Sequence, residues 1–316
     1  MRKVLFIDTV HPILEERLTK RGFLCVDATK KSLSDIEKEL PEVFGIVIRA
    51  RFVLNEEFLK NVTNLKFIAR SGSGLENIDQ LFCKEKNIEL FNSPEGNRNA
   101  VAEHALGMLL SLLNKLNQSN SQVKTGIWNR EENRGEELDG KTIGIIGYGN
   151  NGSAFAKKLR GFDVKVIAHD KYKAGFGDHF VQECTLEAIY HQADIVSFHI
   201  PLNKDTKYFA SEPFFNSFEK PIRLLNLSRG KIVNTKDLVS AIKQGKVIGA
   251  CLDVLEFETK SFETFFEQHL PEEFQFLVQA ENVLLSPHVG GWTKESYFKL
   301  SNVLADKILA WDDSQN

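Results

Sequence analysis

Short apolar runs recur along this chain, and amphipathic stretches lie between most of them. At the amino-terminal end the runs are KVLFID, FLCVDA, GIVIRA, KFIARSG and IELFN. This alternation predicts a parallel sheet with helical crossovers. Pro12 to Lys20 and Ser34 to Leu40 supply two of the helices, the second opening on a capping box of Ser34 and Glu37. In AVAEHALGMLLSLLNKL the apolar positions Val101, Ala105, Met108, Leu109, Leu112, Leu113 and Leu116 recur at helical spacing. They predict one long helix bridging a first domain to a second. The polar stretch TGIWNREENRGEELDG then reads as a surface connection.

Beyond it the alternation resumes with KTIGIIG, VKVIAHD, DIVSFHI, IRLLNLS, IGACLDV and NVLLSPH, so two strand-rich units share the chain. The final helical pattern, Thr293 to Trp311, has no strand after it. It is expected to pack back on the first unit and make the chain's two ends neighbours. Phe257 to Glu281 is crowded with phenylalanine and glutamate. A surface helix and loop is the plainer reading of that segment, and a lid or subunit contact the sharper one.

Composition narrows the class. A chain of 316 residues exceeds the usual single domain, and 42% hydrophobic with 26% charged residues describes an ordinary globular protein. A net charge of -3 gives no reason to expect nucleic acid or an acidic membrane surface as partner. No apolar run has the length needed to span a bilayer, and MRKVLFID turns directly into a strand rather than a signal-peptide core. A small-molecule partner and cytoplasmic residence follow as expectations. Cys25, Cys83, Cys184 and Cys251 form no CxxC pair, so they read as buried free thiols rather than metal ligands or disulfides.

Gly147-Tyr148-Gly149-Asn150-Asn151-Gly152 follows the strand pattern Thr142 to Ile146 and precedes a helical pattern from Ala154. A second strand then ends in Asp170, about twenty residues on, the arrangement of a dinucleotide-binding turn. Gly147 would permit the tight turn, Gly149 would let the backbone approach a pyrophosphate, and Gly152 would let helix and strand pack closely. The helix start would offer N–H groups to the phosphates. Asp170 would accept from the ribose hydroxyls and repel a 2'-phosphate, favouring NAD over NADP, with Lys171 and Lys173 softening the preference. An ordinary strand–turn–helix is the bland alternative; strand, helix and acid together weigh against it.

An enzyme using nicotinamide on an alcohol or carbonyl needs a group that moves a proton and a cation that orients the substrate. His288, in LLSPHVGGWT, sits where a strand breaks into a loop, and loops at the carboxyl ends of parallel strands are where ligands bind. Glu258 follows the strand GACLDV and Arg229 follows LLNLS. A carboxylate beside the imidazole would set its tautomer and favour its charged form, while the arginine would hold a carboxylate bidentately. Taken singly, Arg229 and Glu258 read as surface ion-pair residues. Three such residues at neighbouring strand ends read as a site.

The chain resembles the D-isomer-specific 2-hydroxyacid dehydrogenases over nearly its whole length. The resemblance rests on RSGSGLENID at 70–79, FNSPEGNRNAVAEHALGMLL at 91–110, LDGKTIGIIGYGNNG at 138–152, FHIPLNKDT at 198–206, NLSRGKIVN at 226–234 and SPHVGGWT at 286–293. It implies an α/β fold of two doubly wound parallel-sheet domains with a cleft between them. One is a flavodoxin-like substrate domain at 1–99 with 290–316, the other a Rossmann NAD-binding domain at 100–289. It implies further that Arg229 binds the substrate carboxylate and carbonyl, that Glu258 supports His288, and that His288 is the acid-base. Asn150, Asn151 and Pro201 fall on the cofactor side, and Asp253 contacts the nicotinamide amide. Backbone N–H groups around Ser73 and Gly74 hold the substrate carboxylate.

Within the family the resemblance leans to the 3-phosphoglycerate dehydrogenases of serine synthesis, with Arg49 as phosphate-binding residue, Arg51 close behind and Asn97 on the substrate side. A solvated strand end is the plain reading of the two arginines. Other members reduce glyoxylate, hydroxypyruvate or simple 2-oxo acids on nearly the same core. A homodimer through the cofactor domain is implied as well. Asn234, Thr259 and Asn151 depart from the usual residues, and the spacing from Glu258 to His288 is long. The chain ends soon after the final helix, so a regulatory tail with serine feedback is not expected. An NAD(H)-sensing regulator without turnover is the reading from another functional class.

Overall fold

The computed structural model describes residues 2–258 and 271–315. They divide into two compact units, one holding residues 2–98 and 292–315, the other residues 99–258 and 271–291.

The first unit runs β1 (Lys3–Phe6), α1 (Ile13–Lys20), β2 (Leu24–Asp27), α2 (Leu33–Glu39), β3 (Gly45–Ile48), α3 (Glu56–Leu59), β4 (Phe67–Arg70), α4 (Gln80–Glu85) and β5 (Glu89–Asn92). Its sheet has the order β2-β1-β3-β4-β5, all parallel, the doubly wound order of flavodoxin-like folds. Strands β3 and β4 are buried along their whole length, which is why they read as unbroken apolar runs. Side chains alternate between the faces. Leu5, Ile46, Ile48 and Ile68 meet Ile36, Leu40, Phe58 and Phe82 on one side. Val4, Phe6, Val47 and Phe67 meet Leu14, Leu18, Leu304 and Ile308 on the other.

The expected capping box at Ser34 and Glu37 does not form. Ser32 caps α2 instead, accepting from the Asp35 N–H at 3.2 Å and donating to the Asp35 carboxylate at 2.7 Å. Asp35 answers Ser32 with both backbone and side chain, so the helix begins before Ser34.

The chain continues through α5 (Pro94–Leu113), within which the two units divide, and α6 (Leu116–Lys124). The long helix expected through Leu116 breaks at Lys115, a left-handed residue with φ of 51°. The second unit then runs β6 (Thr142–Ile146), α7 (Asn150–Leu159), β7 (Lys165–His169), β8 (Val181–Glu183), α8 (Leu186–Gln192), β9 (Ile195–Phe198), α9 (Glu212–Asn216), β10 (Ile222–Asn226), α10 (Thr235–Lys243), β11 (Val247–Leu252), α11 (Glu272–Gln279) and β12 (Val283–Leu285). The sheet order is β12-β11-β10-β9-β6-β7-β8, all parallel. The order reverses between β6 and β9, the crevice where such sheets bind ligands. Edge strand β8, VQE, is too short to show a period and was not anticipated.

Helix α12 (Lys294–Ser314) belongs to the first unit, where it buries Leu300, Leu304 and Ile308. Asp312 of α12 pairs with Arg2, so the two ends of the described chain are neighbours. Part of the phenylalanine-rich segment lies outside the described residues. At its described end, Phe274 and Leu277 of α11 are core residues. Among the described residues no helix is long and apolar enough to cross a membrane. All four cysteines are free. Cys83 and Cys251 are buried, whereas Cys25 and Cys184 are half-buried rather than enclosed as expected. Burial pushes the Cys251 thiol up to about 12, so it is a neutral packing group.

Candidate active site

Two of the three glycines after β6 are required by close approach, and the third leaves space. Gly147 has φ of 95°, and a Cβ there would lie 2.7 Å from the His199 carbonyl oxygen. A Cβ on Gly152 would meet the Gly147 carbonyl oxygen at 2.0 Å. Gly149 has open space where its Cβ would be, and as the N-cap of α7 it brings no side chain to the first turn. Open space in front of N–H groups at a helix start fits a pyrophosphate. Asn150 and Asn151 open that turn, and the Oδ1 of Asn151 is buried without a hydrogen-bond partner.

Asp170 immediately follows β7. Its Oδ2 accepts from the Tyr148 N–H at 2.7 Å, and its Oδ1 from Tyr172 and Lys173 at 2.9 and 3.0 Å. Burial works to raise its pKa, but those three donors and the Lys173 charge outweigh it and hold the carboxyl below the usual range. Lys173 also donates to the Tyr148 carbonyl, and Lys171 pairs with Asp205. Pro201 lies exposed beyond β9, its carbonyl accepting from the Thr206 hydroxyl at 2.6 Å.

At the carboxyl ends of β10, β11 and β12 the three chemistry-bearing residues are set by backbone devices. Glu258 Oε2 lies 2.6 Å from Nδ1 of His288. The other oxygen of Glu258 accepts from the Leu255 N–H, so the carboxylate is held at both ends. His288 has φ of 54°, a left-handed conformation rare outside glycine and often found at functional sites. Its N–H donates to the Asp253 carbonyl at 2.8 Å.

Asp253, 2% exposed, accepts from the Val289 and Gly290 N–H groups at 2.9 and 2.8 Å and from the Ser286 hydroxyl at 2.6 Å. This carboxylate, which the family resemblance assigns to the nicotinamide, ties down the turn that carries His288. His104 of α5 reaches the same Ser286 hydroxyl at 3.0 Å.

Arg229 follows β10, and the buried Asn226 shapes its turn by donating to the Arg229 carbonyl at 2.9 Å and accepting from the Ser228 hydroxyl at 2.8 Å. Glu256 links this turn region to the Glu258 loop, accepting from Tyr208 Oη at 2.7 Å and from the Thr235 N–H at 2.9 Å. The Glu256 hydrogen bond raises the Tyr208 phenol to about 12. Asn234, one of the departures from the family pattern, caps α10 by accepting from the Asp237 N–H at 3.1 Å. An asparagine does that as well as an aspartate.

In the first unit, Arg49, Ser73 and Gly74 lie at the carboxyl ends of β3 and β4. Ser73 Oγ donates to Asn97 Oδ1 at 2.7 Å, and Asn92 donates to the Ser73 carbonyl at 2.6 Å. Arg51 donates to the carbonyls of Ile7, Ala28 and Lys31, which makes it a brace between loops. The buried Arg70 donates to the Arg49 carbonyl at 3.0 Å, and a Cβ on Gly72 would strike its guanidinium. Arg70, Asn226, Glu256 and His104 were not singled out in the sequence. Each acts through a partner distant along the chain or through a main-chain turn, and neither leaves a motif.

Comparison with known proteins decides the family. The sequence profile of the D-isomer specific 2-hydroxyacid dehydrogenase NAD binding domain matches residues 106–290. The chain belongs to this family. As a D-isomer specific 2-hydroxyacid dehydrogenase family member it carries the NAD-binding domain, and the glycine cradle described above fits that cofactor. It is 31% identical to the D-3-phosphoglycerate dehydrogenase of Bacillus subtilis over 96% of its own length and 54% of the relative's. The chain thus spans about half the length of the phosphoglycerate dehydrogenases it matches. It is 32% identical to the hydroxypyruvate reductase of Thermotoga maritima over 87% of its length and 86% of that protein's. Among solved structures, a D-lactate dehydrogenase from Aquifex aeolicus complexed with NAD and lactic acid superimposes with a TM-score of 0.83. That pair is 26% identical and covers 99% of this chain and 96% of the other.

Proposed function

We propose that this chain is an oxidoreductase that moves a hydride between NAD and a D-2-hydroxy acid, acting in the cytoplasm on 3-phosphoglycerate and 3-phosphohydroxypyruvate. The observation that carries the chemistry is the 2.6 Å pair of Glu258 and His288. A carboxylate on Nδ1 leaves Nε2 as the nitrogen that exchanges a proton with substrate, and a binding protein without turnover has no use for such a relay. Bound NAD would supply the hydride acceptor. In oxidation, neutral His288 takes the hydroxyl proton; in reduction, the imidazolium returns it to the carbonyl oxygen. Arg229 and the N–H groups around Ser73 and Gly74 hold the carboxylate, and Arg49 receives the phosphate. Four free cysteines are in keeping with a reducing compartment.

An unphosphorylated 2-oxo acid is the second reading, favoured by the match to a hydroxypyruvate reductase, which covers 87% of this chain and 86% of that protein. A panel of phosphohydroxypyruvate, hydroxypyruvate, glyoxylate and pyruvate with NADH separates the two. A kcat/KM highest for phosphohydroxypyruvate supports the first reading, and one highest for hydroxypyruvate the second. Tight NADH binding with turnover of none would leave a cofactor sensor.

The proposed assembly is a homodimer through the second unit. Leu116, Val123, Ile127 and Trp128 place exposed apolar groups close together in sequence on and just after α6, and Trp128 is 78% exposed. Light scattering of wild type and Ile127→Glu/Trp128→Glu tests this: a dimeric mass lost in the double variant supports it, and a monomeric wild type refutes it.

A further inference from the structure

We propose that His104 is a positioning residue for proton transfer: through the Ser286 hydroxyl and the Asp253 carboxylate it holds the turn from which His288 reacts. This inference rests on the reading of His288 as the acid–base. All four residues belong to the second unit. His104 lies on α5, far along the chain from the strand ends that carry the other three, and no motif joins it to them.

Each hydrogen bond in the chain of contacts has a definite direction. A carboxylate only accepts, so the 2.6 Å contact between Ser286 Oγ and Asp253 Oδ1 takes the one hydroxyl hydrogen. Ser286 Oγ then accepts from Nε2 of His104 at 3.0 Å. The proton of His104 therefore sits on Nε2. The same nitrogen lies 3.6 Å from Asp253 Oδ1, so it faces the hydroxyl and the carboxylate together. A hydroxyl that accepts a hydrogen bond donates a stronger one, which tightens the contact between Ser286 and Asp253.

Asp253 passes this fixation to His288. Its Oδ1 also takes the Val289 N–H and its Oδ2 the Gly290 N–H, at 2.9 and 2.8 Å, while its carbonyl takes the His288 N–H at 2.8 Å. Three successive N–H groups of the turn thus end on one residue. His288 holds its φ of 54° there, a conformation that persists only where the surroundings over-determine it. The approach is close as well, since a Cβ on Gly290 would lie 2.8 Å from Asp253 Oδ2. Ser286 meets α5 at two consecutive helical turns, with Met108 Sδ 3.7 Å from the hydroxyl that His104 reaches. The His104 side chain is 29% exposed, whereas Val101, Ala105 and Met108 on the same helix are at most 5% exposed. Packing falls to those three, and His104 contributes chiefly its donor.

Steady-state reduction of phosphohydroxypyruvate and hydroxypyruvate by NADH, in His104→Leu, His104→Gln and His104→Asn, tests the proposal. The amide nitrogen of glutamine reaches the place of a histidine Nε2, and that of asparagine stops at the place of Nδ1. His104→Leu should lower kcat about tenfold and keep KM for either acid, and the NADH Kd from fluorescence titration, within about twofold. His104→Gln should recover most of the loss and His104→Asn none of it. With Ser286→Ala already present, His104→Leu should cost no further kcat, because the group it acts through is gone. Without added cofactor, in protein carrying isotope-labelled histidine, the His288 ring signals are identified by their loss in His288→Ala. They should shift in His104→Leu and return in His104→Gln. An unchanged kcat in His104→Leu, equal losses in the Gln and Asn variants, or a Leu cost that is the same with and without Ser286 would overturn the positioning role. If His104→Leu does not fold, the Gln and Asn pair decides alone. If His288→Ala keeps wild-type turnover, the acid–base reading falls together with the inference. If His288→Ala loses turnover and His104→Leu does not, the inference alone fails.

Discussion

Gly230 lies so close to Leu255 that a Cβ on it would come within 1.9 Å of the Leu255 carbonyl oxygen. The turn that carries Arg229 therefore rests on the backbone of the loop that carries Glu258. Gly230→Ala must push those two turns apart. It should lower kcat/KM about 10²-fold, the scale of an ångström-sized misplacement, together with Tm. Gly149→Ala is the contrast, since its Cβ meets open space. That variant should keep Tm within a degree or two of wild type and lose NADH affinity, because the new methyl enters the space assigned to the pyrophosphate. Calorimetry and NADH titration on both proteins check the pair, and equal Tm losses would refute the distinction.

His288→Ala should cost about 10²- to 10⁴-fold in kcat, the range for general acid–base groups. Glu258→Gln keeps the shape of the pair and removes its charge. It leaves a neutral partner on Nδ1 of His288. The variant should fold as wild type does and lose about tenfold or more in kcat, with KM changed less, because the residue acts through His288 rather than on the substrate. An unchanged kcat would remove Glu258 from its proposed role.

Asp170→Ala should act twice. Three backbone donors lose their acceptor, worth about 1–3 kcal/mol of stability, and the carboxylate that would repel a 2'-phosphate disappears. The ratio of kcat/KM for NADPH to that for NADH should rise even as Tm falls. A ratio that does not move would mean Asp170 serves the loop alone.

His199 offers a pH test of stability. Its ring lies 5.5 Å from that of Phe155 at a tilt of 39° and bonds Ser197 Oγ at 2.9 Å, and burial brings it down to about 4. Unfolded, an imidazole titrates near ~6.5, so as pH falls the unfolded chain takes the proton first. Stability is retained above about pH 6.5 and lost progressively towards pH 4, by up to about 3 kcal/mol. Urea unfolding at pH 7 and pH 4.5 should show a smaller drop in His199→Gln than in wild type. Equal drops would exclude His199 as the source.

The strands of both sheets were readable because burial on two faces leaves a local mark, an apolar run between turns. The glycine turn was readable for a similar reason, since close approach and a left-handed φ demand glycine at set places. Short β8 and the Lys115 break carry no such mark. Ser32 rather than Ser34 caps α2 because Asp35 answers it, a choice between two equally suitable serines.

The site divides along the same line. Arg49 and Arg51 are two residues apart and look alike in sequence, but Arg51 braces three backbone carbonyls while Arg49 lies on Trp292. Glu258 and His288 are thirty positions apart, and nothing in either segment specifies that they meet at 2.6 Å. By itself the sequence determined the class of fold, the cofactor turn and the residue types available for chemistry, because those depend on periodicity and on single-residue conformational limits. Which of those residues touch, and which only hold another in place, was decided by tertiary structure, because a hydrogen bond or a stacked ring depends on distances that the folded backbone alone sets.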